Sequence, residues 1–261
     1  MTQPSGARQD SSADRPASAR MPLPAPPRQR WRLLVAVPAP TGDDRAGEPA
    51  GGRSWPALLS ASGLPVAGEG AGRGRVTPAA PLPLGVAGER EVVDLYLVER
   101  LPVAVVRAAV AAVLPAGSSL VDLHDVWVGA PSAPASVVGA DYRVLLEGPP
   151  RWALEGAILA LLGAAMLPRE RRREKKTSAY DLRPLILGLE VRTSDASGVT
   201  LAMRLRHAPD AAGRPEEVVA ALGEPPAGHL AAPLVVRSIV RERVLLSGDP
   251  VPGDPAAPSS A

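Results

Sequence analysis

The pattern of apolar and polar residues divides the first half of the chain into short elements. Residues 31–37 (WRLLVAV) form an apolar run followed by proline and glycine, which predicts a strand. Residues 91–98 (EVVDLYLV) and 120–128 (LVDLHDVWV) predict two further strands. The proline-rich residues 80–86 (APLPLGV) predict an extended edge strand, since proline cannot donate to a strand ladder.

Two helices are predicted between these strands. Residues 54–62 (SWPALLSAS) have Ser54 as an N-cap and a proline in the first turn. Pro102 opens a second helix that runs to Leu114. Its apolar side chains recur at helical spacing and predict one buried stripe: Val106, Val110, Val113 and Leu114. The order β-α-β-β-α-β resembles a ferredoxin-like fold.

The second half repeats this order after a linker of small residues at 129–140. Alternating Tyr142, Val144 and Leu146 predict a strand. A helix follows, with an apolar stripe of Leu154, Ile158, Leu161, Leu162, Ala165 and Met166. A basic loop is then expected to lead to strands at 182–191 and 199–206, a small helix at 214–223 and a last strand at 234–246.

The sequence therefore predicts an α+β protein with two consecutive ferredoxin-like halves and mostly antiparallel sheets. We place the halves at residues 30–139 and 140–246. The flanking residues 1–29 and 247–261 are rich in Pro, Ser and Ala and poor in bulky apolar residues. Such segments bury too little apolar surface to offset chain entropy, so both are expected to be disordered tails.

Composition excludes several classes of chemistry. The chain has no cysteine, so it has no disulfide, thiolate nucleophile, iron–sulfur cluster or cysteine zinc site. We expect no bound metal or cofactor and a cytoplasmic location. The formal charge of +2 does not by itself require a nucleic-acid partner. The longest apolar run, residues 152–168, is shorter than the ~20 residues of a membrane span, so no membrane partner is expected.

Common catalytic and nucleotide-binding motifs are missing. No glycine loop precedes Lys176-Thr177, as a P-loop requires. In the glycine-rich residues 68–75, Arg73 occupies the last glycine position of a dinucleotide-binding fingerprint. The sequence has no G-x-S-x-G or H-E-x-x-H motif, and its three histidines lie far apart. We therefore assign no catalytic residue.

The segment 175–186 (KKTSAYDLRPLI) contains the first candidate functional cluster, formed by Tyr180, Asp181 and Arg183. Asp181 is either a catalytic carboxylate in an apolar setting or the partner of Arg183. The second alternative follows from strand geometry, because residues two positions apart lie on one face.

Basic residues of the second half form a set of candidate anion or RNA contacts. The set consists of Arg171, Arg172, Arg173, Lys175, Lys176, Arg204 and Arg206. Arg237, Arg241 and Arg243 are expected to share a strand face, and together these faces would suit phosphates. The chain has no phenylalanine and no aromatic pair for stacking bases. An RNA surface and an ordinary solvated face both stay open as interpretations.

Several stretches, in order, resemble the bacterial radical SAM-linked protein family, a domain of unknown function. They are APLPLGV at 80–86, the strand at 91–97, LPAG at 114–117, the linker GAPS with DYR at 141–143, YDLRPLI at 180–186, the strand at 201–206, and RPEE at 214–217 with LG at 222–223. Family members are encoded beside, or fused to, a radical SAM protein of the cobalamin-binding type.

The resemblance implies a non-catalytic accessory or partner role, in a system connected with RNA modification. The partner would supply the iron–sulfur cluster, because this chain lacks the three cysteines that hold it. Typical members carry F-L-S-H-x-D-like and G-F-N-P-H-P-K-like motifs where this chain has SWPALLSAS and GEGAGRGR. An RNA-binding module and an RNA-modifying enzyme centred on Asp181 are the alternatives.

Overall fold

Strands and helices alternate along the chain in the computed structural model. It describes residues 25–39, 54–68, 75–148, 150–173, 176–207, 212–225, 227 and 234–249. The strands are β1 Gln29–Val37, β2 Val76–Pro78, β3 Val86–Leu97, β4 Ser119–Val126, β5 Val137–Glu147, β6 Pro168–Arg173, β7 Lys176–Asp181, β8 Ile186–Asp195, β9 Gly198–Arg206 and β10 Val235–Leu246. The helices are α1 Trp55–Ser60, α2 Val103–Val113, α3 Ala133–Ser136, α4 Arg151–Gly163 and α5 Pro215–Leu222, and a 3₁₀ turn covers Arg183–Leu185.

Eight of these strands form one sheet, in the order β4-β1-β3-β10-β5-β9-β8, with β2 beside β3. All pairs are antiparallel except β10 with β3, which is parallel. Strands β6 and β7 form a separate two-stranded antiparallel ribbon. The expected mixed class with a mostly antiparallel sheet is therefore confirmed.

The two halves meet along β3. Its end at Val93–Leu95 pairs with β2, and its beginning at Val86–Gly88 pairs with Ile239–Arg241 of β10. The first half has the strand order β4-β1-β3-β2, and the second has β10-β5-β9-β8. Because β10 joins the two sets, they share one continuous sheet, and the position expected for the boundary, near residue 139, lies within β5.

The main core lies between one sheet face and the helices. Alternate residues of the strands are buried there, including Leu33 of β1, Leu95 of β3 and Leu201 of β9. Helix α2 contributes Val106 and Val110 to the same cluster. Helices α4 and α5 add Leu154, Leu161, Val218 and Leu222. The opposite face carries a smaller core where the halves join: Ala133 of α3 packs with Ala79 and Val92 of the first half and with Val244 and Leu246 of β10.

Most local predictions agree with these elements, and three were wrong. Ser54 caps α1 as expected, its Oγ accepting from the N–H of Ala57 at 3.4 Å. The strand expected at 80–86 is replaced by β2 at Val76–Pro78 and an irregular segment in which Gly85 has φ +75°. Such a φ favours glycine and ends the extended run.

The second error concerns the end of α4, which stops at Gly163. Met166 lies beyond the helix and is 64% exposed, so it is not part of the buried stripe. The third concerns the basic segment, which was expected to be a loop leading to a strand from residue 182. It instead pairs as β6 with β7, and Pro184 lies in the 3₁₀ turn that precedes β8. No helix among the described residues is long and apolar enough to cross a membrane.

An almost fully buried ion pair lies where the halves meet. Arg241 of β10 donates from Nε to Oε1 of Glu91 at 2.8 Å, and its Nη2 contacts the other carboxylate oxygen. The same guanidinium donates to the carbonyls of Ala80 at 3.0 Å and Pro81 at 3.1 Å. The arginine is therefore bonded to β3 and to the segment after β2 at once.

Arg241 was expected to share a face with Arg237 and Arg243, and this was wrong. The register with β5 shifts between Arg241, opposite Tyr142, and Arg243, opposite Asp141. Residues two positions apart normally share a strand face, but the extra residue of such a bulge places them on opposite faces. Arg241 therefore points into the protein, while Arg243 bonds to Asp141 on the other face.

We expect Arg241→Ala to lower the free energy of unfolding by about 3–5 kcal/mol, because Glu91 would keep a buried charge without a partner. A double variant, Arg241→Met with Glu91→Leu, should be destabilised much less, since both charges are removed. Arg107→Ala is the control, because the Arg107–Asp122 pair is exposed and should contribute about 0–1 kcal/mol. Urea unfolding measures all three; equal destabilisation by Arg241→Ala and the control would contradict the assignment.

Candidate functional site

The ribbon formed by β6 and β7, here called the basic ribbon, contains most of the predicted anion contacts. Its register runs from Pro168 opposite Asp181 to Arg173 opposite Lys176. Two of its arginines attach it to α5 and the flanking residues. Nη2 of Arg171 donates to the carbonyl of Ala212 at 3.0 Å and lies 3.3 Å from Oε2 of Glu217. Arg169 forms an ion pair with Glu224 at 3.1 Å.

Arg171 is therefore used within the protein. Its side chain is only 12% exposed, and its Cζ lies 4.8 Å from the ring centre of Tyr180, within the range of a cation–π contact. Burial, followed by the neighbouring Glu217 carboxylate, raises the pKa of Tyr180 to about 12. The phenol is therefore neutral at physiological pH, and its ring packs against the Arg171 guanidinium.

Asp181 and Arg183 hold the turn at the base of the ribbon. Oδ1 of Asp181 accepts from the backbone N–H of Leu167 at 2.7 Å and of Arg183 at 3.0 Å. The Arg183 guanidinium donates to the carbonyls of Leu162 at 3.0 Å and Ile186 at 3.2 Å. The expected side-chain pairing of Asp181 with Arg183 was wrong, because the two side chains bond to different backbone groups. Their contacts connect α4, the ribbon and β8.

The other predicted basic residues are divided between two places. By register, Arg172, Arg173 and Lys176 lie at the end of the ribbon furthest from Asp181, and Lys175 lies outside the described residues. Arg204 and Arg206 lie on β9, where Arg206 is exposed opposite Gly139. Arg204 and Arg206 therefore lie on the main sheet, whereas Arg172, Arg173 and Lys176 lie on the separate two-stranded ribbon.

Arg204 belongs to a network on the sheet face opposite the helices in the second half, here called the open face. Asp141 accepts from Nε and Nη2 of Arg204 at 2.8 and 3.1 Å and from Nε of Arg243 at 2.8 Å. Glu242 accepts from Arg192 at 2.6 and 3.1 Å and from Nη1 of Arg143 at 2.8 Å. Each carboxylate therefore holds two guanidinium groups.

This network was missed in the sequence because its members are distant along the chain. Asp141 and Arg204 are 63 residues apart, and Asp141 and Arg243 are 102 apart. The alternation of β9 placed Arg204 on the face away from the core, which was the one available signal. Its carboxylate partner requires knowledge that β5 lies between β9 and β10.

A cavity of about 550 Å³ lies beside β8 and includes part of the open face. Its lining combines charged Asp141, Arg192 and Arg204 with apolar Leu162 and Leu187. Gly188, which has no side chain, and Ala202, with only a methyl group, belong to the same lining. An incoming anion would compete with carboxylates already bonded to the arginines. The surface therefore suits a ligand that offers both donors and acceptors, as a protein surface does.

The open face offers charge and hydrogen bonds and no obvious acid–base pair. Partial burial on its own raises the pKa of the Asp141 carboxyl, but hydrogen bonds from Arg204 and then Arg243 outweigh it and hold that pKa below its ordinary value. Asp141 is thus a fixed anion at neutral pH. Among the described residues no group of three or more His, Asp or Glu side chains is placed to hold a metal ion.

We expect Asp141→Asn to make the free energy of unfolding depend less on pH under acidic conditions. A carboxyl whose pKa is lowered by folding contributes stability above its unfolded pKa of about 4, and this contribution disappears as pH falls through the lower folded value. The wild type should therefore lose stability more steeply than the variant below about pH 4. Urea midpoints across this range measure the slope. Glu99→Gln, at an exposed site, is the control, and identical slopes for wild type and Asp141→Asn would contradict the role.

Part of the chain matches a known protein family. Residues 73–215 match the family described as "Uncharacterized protein conserved in bacteria (DUF2344)". The match begins just before β2 and ends at the first residue of α5, so it includes the basic ribbon and strands β5, β8 and β9 of the open face. No curated protein sequence matches the chain. Because the match spans more than half of the 261 residues, the chain belongs to this bacterial family, DUF2344.

Proposed function

We propose that this protein is a non-catalytic accessory subunit that binds a radical SAM enzyme in the cytoplasm, in a system connected with RNA modification. The partner follows from the ordered resemblance between residues 80 and 223, a region that overlaps the family match at 73–215. Since the chain has no cysteine, the partner provides the cluster and its chemistry. This chain provides a binding surface.

The observation that carries the proposal is that the side chains of the candidate functional cluster form contacts that stabilise the fold. Asp181 accepts two backbone N–H groups, and Arg183 donates to two carbonyls. Tyr180 packs against Arg171. These contacts give the YDLRPLI segment a structural purpose without requiring a reaction. They favour a structural role for the segment over an RNA-modifying enzyme centred on Asp181.

The strand orders support two ferredoxin-like units within the single sheet. Each half follows β-α-β-β-α-β, and all four strands of each occupy equivalent places, with order 4-1-3-2. In the second half the basic ribbon is inserted between the first helix and second strand of the unit. Among the described helices only the short α3 contacts this face of the unit, at the end of β10, and the open face is the surface we assign to the partner.

A tagged full-length chain purified from its native host should capture a radical SAM protein of the cobalamin-binding type, identified by mass spectrometry. Arg192→Ala should reduce the capture, because Arg192 is 44% exposed beside the cavity and its removal leaves the buried core intact. Arg107→Ala removes the same charge from an exposed site on α2 and is the matched control. Enrichment of radical SAM protein no greater than with the tag alone would sink the proposal.

A second candidate function is RNA binding by the basic ribbon. The observation that favours it is the concentration of Arg172, Arg173 and Lys176 at the far end of a two-stranded antiparallel ribbon. Basic ribbons of this kind bind phosphates through charge, and the binding weakens steeply with salt. Arg171 is left out of this surface because it is bonded to Ala212 and Glu217.

We expect single-stranded RNA to bind the full chain in a salt-dependent way if this second function holds. Replacing Arg172, Arg173 and Lys176 by alanine should reduce the slope of log affinity against log salt by about 2, because each neutralised phosphate contributes roughly 0.7 to that slope. A matched triple variant of exposed Arg100, Arg107 and Arg151 removes the same charge elsewhere. Fluorescence anisotropy over a salt series measures both; equal slopes, or salt-independent binding, would exclude the ribbon as the RNA surface.

A further inference from the structure

Helix α4 exposes an apolar face that no other described element covers. Leu154, Ala157, Ile158 and Leu161 are buried on one side of the helix. On the opposite side lie Trp152, Gly156, Leu159 and Gly163, here called the outer stripe, at helical spacings of four, three and four residues. Trp152 is 76% exposed and Leu159 is 73% exposed. The outer stripe contains no charged residue.

The two glycines of the outer stripe have no packing role among the described residues. A Cβ added at Gly156 or Gly163 would meet no atom within 4 Å. Glycine at an exposed helix position costs about 1 kcal/mol relative to alanine. Gly156, inside the helix, is therefore destabilising, and Gly163 is the last residue of the helix. Both leave open hollows, each beside a large apolar side chain. Hollows between large side chains are the features that let two helices pack closely.

We propose that the outer stripe is the interface of a homodimer, in which α4 packs antiparallel against α4 of a second copy. The stripe is complementary to itself about a two-fold axis placed between Ala157 and Ile158. In that register Trp152 of each copy lies over Gly163 of the other, and Leu159 lies over Gly156. A two-fold interface requires this relation, since the same patch serves both copies.

The charges next to the stripe permit this packing. Arg151 and Glu155 form an i,i+4 ion pair within their own helix at 2.7 Å, so each copy brings compensated charges to the edge of the contact. Antiparallel helices also place opposite ends of their dipoles side by side. Trp152 to Gly163 spans only about 16 Å of helix, and the contact is smaller than the roughly 800 Å² per partner of a standard interface. The dimer is accordingly weak and depends on concentration.

Sedimentation velocity over a concentration series tests the association. The wild type should shift from monomer toward dimer as concentration rises. Gly156→Ala with Gly163→Ala should raise the thermal midpoint, because alanine favours the helix, and yet weaken dimerisation by about tenfold, because the hollows are filled. A wild type that stays monomeric at all concentrations, or a glycine variant that associates as tightly as wild type, would overturn the proposal.

Cysteine cross-linking tests the register, since the chain has no cysteine of its own. In the antiparallel arrangement two copies of residue 159 are offset by about 4.5 Å along the helix axis, and two copies of residue 152 by about 16 Å. Leu159→Cys should therefore form disulfide dimers under mild oxidation, while Trp152→Cys should not. Trp127→Cys, 78% exposed on another part of the surface, is the control. Cross-linking of Trp152→Cys equal to Leu159→Cys would overturn the antiparallel register.

Discussion

The buried pair of Arg241 and Glu91 is the constraint on which the architecture depends. It lies where β10 runs parallel to the beginning of β3, the single parallel pairing in the described sheet. Only three residues of β10 pair with β3 there, so the backbone contact between these two strands is short. The guanidinium extends it by bonding to Glu91, Ala80 and Pro81. The last strand of the second half is thereby fixed to the segment that leads into the third strand of the first.

The bulge between Arg241 and Arg243 places these two arginines on opposite faces of the sheet. Without the shift between Arg241 and Arg243, both arginines would point the same way along β10. Because the chain has one extra residue there, Arg243 lies on the open face beside Glu242 and reaches Asp141. The bulge therefore allows β10 to contribute Arg241 to the buried junction and Arg243 to the exposed charge network. A change that removed the bulge would disturb stability and surface charge together.

Sequence periodicity predicted the elements whose pattern is local. Alternation located β9, and helical spacing with proline and glycine punctuation located α2 and α5. Periodicity failed at the basic ribbon. The run of charged residues there is typical of a solvent-exposed loop, but Arg169 forms an ion pair with Glu224 and Arg171 with Glu217, both distant in sequence. The same holds for Asp141, whose partners lie on strands far along the chain. Local sequence patterns indicate which residues are buried. Which residues form hydrogen bonds or ion pairs with each other depends on the order of the strands in the sheet.

Engagement of charges within the protein narrows where a partner can bind. Arg171, Arg204 and Arg241 looked alike in sequence, yet each is held by a carboxylate and contributes little free positive charge. A partner must then gain its binding free energy either by replacing one member of an exposed ion pair or through apolar contact. Arg192 on the open face and the outer stripe of α4 satisfy these two requirements at different surfaces. The proposed protein partner on the sheet and the proposed second copy on α4 would therefore occupy different surfaces of the second half.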